Sequence, residues 1–244
     1  MEAVMAMADP VWMKGLLVVH IAAGFTSFVL APVALATAKG GKQHKRWGMV
    51  YLWAMGGVAA TALPMALYRP VLFLALVAVF SFYAAFSGYR VLKLKDLPRG
   101  GSAKAIDWFA GGVTFAASAC LAVFGVVRPA WVQHMGIVAV VFGVIGMRLA
   151  VGEMWSFVRK PTEKMFWWYT HLGNFIGSYI AAWTAFLVVT VAPRMGRYGM
   201  AMWLLPTAIG VPAIVLTIVY YKRKFAPKAK GLTPIYTDLP ASAD

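Results

Sequence analysis

Acidic residues are scarce in this chain of 244 residues: eight Asp and Glu stand against 23 Lys and Arg, and charged residues make up only 13% of the total. A soluble domain carries about twice that charged share. Cysteine is scarcer still. Cys120 stands alone, which excludes an intramolecular disulfide framework, a CxxC redox pair and covalent c-type haem attachment through CxxCH. There is no HExxH and no tight His and carboxylate cluster, so a membrane zinc hydrolase is excluded. GxxxxGK[ST] is absent, and with it a Walker nucleotide site. The last apolar run has no lysine to form a retinal Schiff base. Carboxylates are too few inside the apolar runs for a serine triad or for an ion-coupled transporter that holds them at mid-membrane. There is no fixed-period repeat, low-complexity tract or Ser- or Gly-rich linker.

What the chain has in abundance is apolar residues, 61% of the total, with a mean hydropathy of +0.73. That composition describes an all-α polytopic membrane bundle, and the length accommodates about seven spans of roughly 20 residues each. The apolar runs predict spans near Val11 to Ala38, Gly48 to Tyr68, Pro70 to Val91, Trp108 to Val127, Trp131 to Phe157, Phe166 to Ala192 and Met200 to Tyr221. Residues 1–221 then form one seven-helix transmembrane domain, and 222–244 a polar, basic tail carrying Pro227, Pro234 and Pro240, of the composition that stays disordered.

Net charge is +15, and its distribution explains it. Lys39, Lys42, Lys45 and Arg46, then Arg90 to Lys104, then Arg148 to Lys164, then Lys222 to Lys230 alternate with segments holding only Lys14, Arg69, Arg128, Arg194 and Arg197. Eighteen of the basic residues fall on one side if the spans number seven, which predicts an outward N-terminus and a cytoplasmic C-terminus in the cell's inner, cytoplasmic membrane. The charge then serves topology and attraction to an anionic inner leaflet, and nucleic acid is not an expected partner. Glu2 and Asp9 precede the first run where a cleavable signal would be basic, so that run is read as a permanent helix. Trp12 and Trp131 mark outer ends. Trp47, Trp108, Trp155, Trp167 and Trp168 mark inner ones.

Small residues predict close helix approach at Gly56 and Gly57, at Gly111 and Gly112, and at the GxxxG of Gly173 and Gly177. Most of the methionines are gap-fillers; Met5 and Met7 form a lone MxM, too few soft ligands for a strong Cu(I) site.

Four histidines carry the functional expectation, because ionisable groups in spans are costly and default to functional candidates. His20 and His134 lie towards outer ends of the first and fifth spans. His44 and His171 lie at inner ends of the second and sixth. Two pairs at opposite faces are the arrangement of a protein that carries electrons across a bilayer on b-type haem, each iron held by two neutral imidazoles. His20, Gly24 and Ser27 share a face small enough to admit a flat macrocycle. His171, Asn174 and Ser178 form a polar stripe that predicts an interior face. Arg90 and Arg148, near inner ends, are the cations expected to answer haem propionates; the bland reading of each is snorkelling at the cytoplasmic edge. At about 1.5 Å per residue, His20 lies roughly 13 Å below Val11 and His134 about 5 Å below Trp131, so matching them needs the first helix to protrude.

His20, Gly24, Lys39, Gly40, His44, Arg46, Gly48 and Tyr51, with Trp168, His171, Tyr179, Ala182 and Thr184, resemble a family of multi-pass prokaryotic membrane proteins known as a domain of unknown function, over half to two-thirds of the chain. The resemblance implies that His20, His44 and His171 are recurring family positions. In architecture and histidine count the chain is also similar to di-haem cytochrome b membrane proteins, from which it departs in having its second histidine at a loop edge. The leading expectation is therefore b-type haem binding and electron transfer with a quinol or a partner. The competing classes are a non-catalytic subunit of a larger respiratory or photosynthetic membrane complex, suggested by the aromatic spans, and a proton, metal or small-solute channel or carrier, which would need a continuous polar path.

Overall fold

The computed structural model describes residues 9–68, 72–128 and 135–225. Met5, Met7, Arg69, Trp131, His134 and the tail from residue 226 lie outside the described residues, and with them the expected partner of His20. Within the described residues the chain is all helical, with seven helices long and apolar enough to cross a membrane. They are α1 (Val11–Ala36), α2 (Lys42–Tyr68), α3 (Leu72–Arg90), α4 (Ala105–Val127), α5 (Gly136–Val158), α6 (Phe166–Thr190) and α7 (Ala201–Phe225). The protein is a multi-pass membrane protein. Single 3-10 turns, such as Val91–Lys93 and Leu97–Arg99, fill the connections.

Two boundaries differ from expectation in a way that matters. The α2 helix starts at Lys42, so His44 belongs to its first turn and is carried by a rigid element rather than a loop. At the other end of the chain α7 runs on to Phe225 through Lys222, Arg223 and Lys224, since three cations in a last turn suit the negative end of the helix dipole.

Alternation of the helices gathers the basic connections at one end of the bundle, here called the basic end. There Lys222 pairs with Glu163 at 2.8 Å and Lys160 donates to the Gly101 carbonyl at 2.6 Å. Tryptophans ring the same end: Lys95 sits 4.1 Å above the Trp167 ring and Arg159 4.8 Å above Trp155. At the opposite end Trp12 packs edge-on against Tyr68.

The α3 helix is the hub. It touches α2, α4, α5 and α6, and half of its most apolar stretch is buried, against none of that of α7. Lipid tails are as apolar as leucine, so helices in a bilayer associate through close packing rather than the hydrophobic effect. The tightest contact lies between α4 and α5. A side-chain carbon built on Gly143 would stand 2.6 Å from the Ser118 carbonyl oxygen, and one on Gly125 2.7 Å from that of Gly136; Gly146 faces the Ser118 side chain. Phe73, Phe80, Leu121, Val138, Ala139 and Phe142 close the core beside this seam. Of the glycines picked from the sequence, Gly111 is tight, with Met154 of α5 2.9 Å from where a side-chain carbon would stand; Gly57 meets Ala23 at 3.3 Å and Gly173 meets Ile214 at 3.6 Å, while Gly112 and Gly177 face open space.

Candidate functional site at the basic end

Polar residues with partners across helices collect in the half of the bundle nearest the basic end. His44, in the first turn of α2, donates its Nδ1–H to the Ala34 carbonyl of α1 at 3.0 Å. His171, in the second turn of α6, does the same to the Gly88 carbonyl of α3 at 2.9 Å. A carbonyl oxygen only accepts, so both rings carry a proton on Nδ1, and in the neutral imidazole the lone pair is then on Nε2. This is the tautomer of a metal-ligating histidine whose outer nitrogen is oriented by a backbone acceptor. The two ring centroids are 6.2 Å apart, with an interplanar angle of 73°. Phe175 lies 4.8 Å from His171 on one flank. On the other, Gly48 follows His44 by one turn and has nothing within 4 Å of where a side-chain carbon would be.

One turn deeper along α6, Asn174 is buried and donates both amide hydrogens, to Ser87 of α3 at 2.9 Å and to Glu153 of α5 at 2.7 Å. One further turn on, Ser178 gives its hydroxyl hydrogen to the Phe175 carbonyl and accepts from the Tyr51 hydroxyl at 2.6 Å. The stripe of His171, Asn174 and Ser178 therefore faces the interior, as its helical spacing predicts. It stops there: beyond Ser178 the same face of α6 continues as Ala181, Ala182 and Ala185, while Tyr179 and Trp183 on a neighbouring face pack around Phe28 of α1.

Arg90, at the end of α3, binds Asp107 of α4 through two parallel bonds of 2.6 and 2.9 Å. Asp107 also accepts the Lys104 N–H at 2.9 Å and so caps α4. Between this pair and Glu153 lies a small cleft, lined also by Tyr83 and Ser87, with about 10 Å³ open to water centres, room for one water molecule. Arg90 is thus near the site but committed to Asp107. The expected role for it, answering a propionate, competes with a bidentate partner already in place.

The remaining candidates lie elsewhere. His20 is half-buried and donates through Nδ1 to Thr61 of α2 at 2.9 Å, because the single Thr61 hydroxyl hydrogen is engaged by the Gly57 carbonyl at 2.7 Å. Arg148 is exposed on the far side of α5 from Glu153. The structure thus brings together His44 and His171 of the expected ligands, and it seats Asn174 of the expected stripe, one turn deeper, against Ser87 and Glu153. Among the described residues no group of three or more His, Cys, Asp or Glu stands close enough to hold a metal ion.

No family model matches the chain, and no curated protein or solved structure matches it.

Proposed function

We propose that this protein binds one b-type haem at the basic end of its bundle, where His44 and His171 would hold it, and passes electrons between a quinol or a partner redox protein and that end. The carrying observation is the pair of imidazoles, each locked by a backbone carbonyl into the tautomer that frees Nε2, with ring centres 6.2 Å apart. A ring separation of this size would allow both imidazoles to serve one metal centre, each offering Nε2 as the ligand atom. Two protein ligands are too few for a bare structural or catalytic zinc site, which takes three or four. They suit an iron whose other four ligands come from a porphyrin, and that group supplies reversible one-electron exchange when bound.

The chain's own residues orient the ligands and tune their surroundings. Ala34 and Gly88 set the rings, Gly48 leaves space beside His44, and Asn174 holds the nearest buried carboxylate, Glu153, by one of its oxygens. With Arg90 engaged by Asp107, the exposed Lys45 and Arg46 beside His44 are the cations open to a propionate. The end-on distribution of cations favours a cytoplasmic basic end and the cytoplasmic membrane of the cell. A channel is the weaker reading, since the polar stripe covers only the stretch of α6 from His171 to Ser178.

The test is a reduced-minus-oxidised visible spectrum of the purified protein after haem-replete expression. A sharp alpha band is expected, lost in His44→Ala and in His171→Ala and kept in His20→Ala. No band in the parent protein, or a band that survives both inner substitutions, overturns the proposal.

A further inference from the structure

Arg148 occupies a place where an arginine has no reason to be in a lone bundle. The buried residues of α5, among them Ala139, Phe142, Gly146 and Ala150, form one stripe, and at 100° per residue Arg148 falls opposite it. Its neighbours on that outward face are Val144, Val151 and Trp155, 50%, 45% and 55% exposed. Its depth is fixed twice over. Counted along α5, it lies roughly 18 Å from Gly136 and 15 Å from Val158. Across the seam, Gly143 and Gly146 meet Ser118, at the middle of α4. Arg148 is therefore a cation at mid-bilayer on an otherwise apolar, lipid-facing surface. No described residue gives it a hydrogen bond or an ion pair.

We infer that this face of α5 docks a transmembrane helix of another protein that carries a carboxylate at matching depth. Charged side chains inside a bilayer persist where they meet an opposite charge, a polar cavity or water. A lipid phosphate is poorly placed to serve: helical side chains lean towards the helix N-terminus, which carries the guanidinium away from the basic end and leaves it far from either headgroup layer. A second copy of the chain cannot serve either. Among the described residues the only carboxylates within spans are Asp107 and Glu153, 3% and 9% exposed, the first bound to Arg90 and the second on the inward side of α5. Two copies joined face to face would oppose one Arg148 to another.

The experiment places a photo-crosslinking amino acid at Val144 or Val151 of the full chain in its native membranes, with Ile209 of α7 as a control position. The expected result is a discrete protein adduct from the two α5 positions and none from Ile209, joined to a polypeptide with an Asp or Glu inside an apolar span. Arg148→Leu should lower the adduct by about three- to tenfold, and Arg148→Glu should recover it when the partner's carboxylate is changed to Arg. Adducts to lipid alone, to a second copy, to a partner without a membrane carboxylate, or insensitive to Arg148→Leu each overturn the inference.

Discussion

Asp107 is almost wholly buried, and what makes that tolerable is Arg90. The pair joins α3 to α4 by two parallel bonds, with side chains 17% and 2% exposed, and planar bidentate geometry is the strongest form such a pair takes. Removing one partner leaves an uncompensated buried charge, so Arg90→Leu should destabilise the protein by about 3–5 kcal/mol. Arg90→Leu combined with Asp107→Leu should recover most of that loss, falling short by the helix cap that Asp107 provides, about 1 kcal/mol. Thermal unfolding in detergent micelles reads both. A double variant as unstable as the single one would show that the two residues act independently. At this scale the sequence was informative about residue type and silent about partners. An imidazole inside an apolar run is conspicuous wherever it lies, so His20 and His171 stand out before any coordinates, whereas His44 sits in a basic segment at the approach to the second run. Glu153, by contrast, reads as an edge residue until α6 brings Asn174 against it, and Asp107 reads the same way until α3 supplies Arg90. Thr61 was within reach: it lies seven residues before the end of α2, much as His20 lies nine after the start of α1, and antiparallel helices set those two depths side by side. Arg148 was read as an edge cation because its distance in sequence to Arg159 is short, whereas its azimuth on α5 depends on which stripe the neighbouring helix buries.

Among the elements, α4 and α5 form the most closely seated pair, and their contact is made by the absence of side chains. Gly125 and Gly143 let backbone approach backbone, and Gly146 makes room for the Ser118 side chain. Added bulk there has nowhere to go except by parting the helices. Gly143→Val should therefore cost about 1–3 kcal/mol, while Gly177→Ala, which projects into open space, should change stability by less than about 0.5 kcal/mol. Comparing the two midpoints of unfolding checks this, and equal effects would mean that the seam has slack. The spans themselves were legible because long apolar runs, basic connections and end-on tryptophans all point to the same seven segments. Which glycines matter was not, since GxxxG spacing recurs throughout membrane helices and only the facing helix decides which copy is used. The start of α2 was missed for a related reason: Lys42, Gln43 and His44 lower the hydropathy of a turn that is nevertheless helical, because the helix protrudes past the apolar zone.

For the molecule as a whole, the asymmetry of its cations is a statement about orientation that can be measured directly. A reporter active only in the cytoplasm, inserted after Gly101, should be active, and the same reporter inserted after Gly196 should be silent. The reverse pattern would invert the bundle and place the two imidazoles at the outer face. The contact pattern also divides the molecule unequally. Six helices enclose or border the polar cluster. The seventh leans mainly on α6, has no buried residue of its own, and reaches the core through Trp203 against Phe73 of α3 and Phe142 of α5. A chain ended after Met195 should still insert, fold and show the alpha band proposed for the His44–His171 pair, at some loss of stability from the missing contacts at Gly173 and Phe73.

The position of α7 has one more consequence. Exposed along most of its surface and packed mainly on α6, it is the helix of the bundle whose tilt should answer first to a change in the thickness of the surrounding bilayer. Thinner membranes should tilt it first, and the tug would be transmitted along α6, the same rod that carries His171 and Asn174. Membrane thickness would then reach the imidazole pair mechanically, through one helix, without any ligand binding.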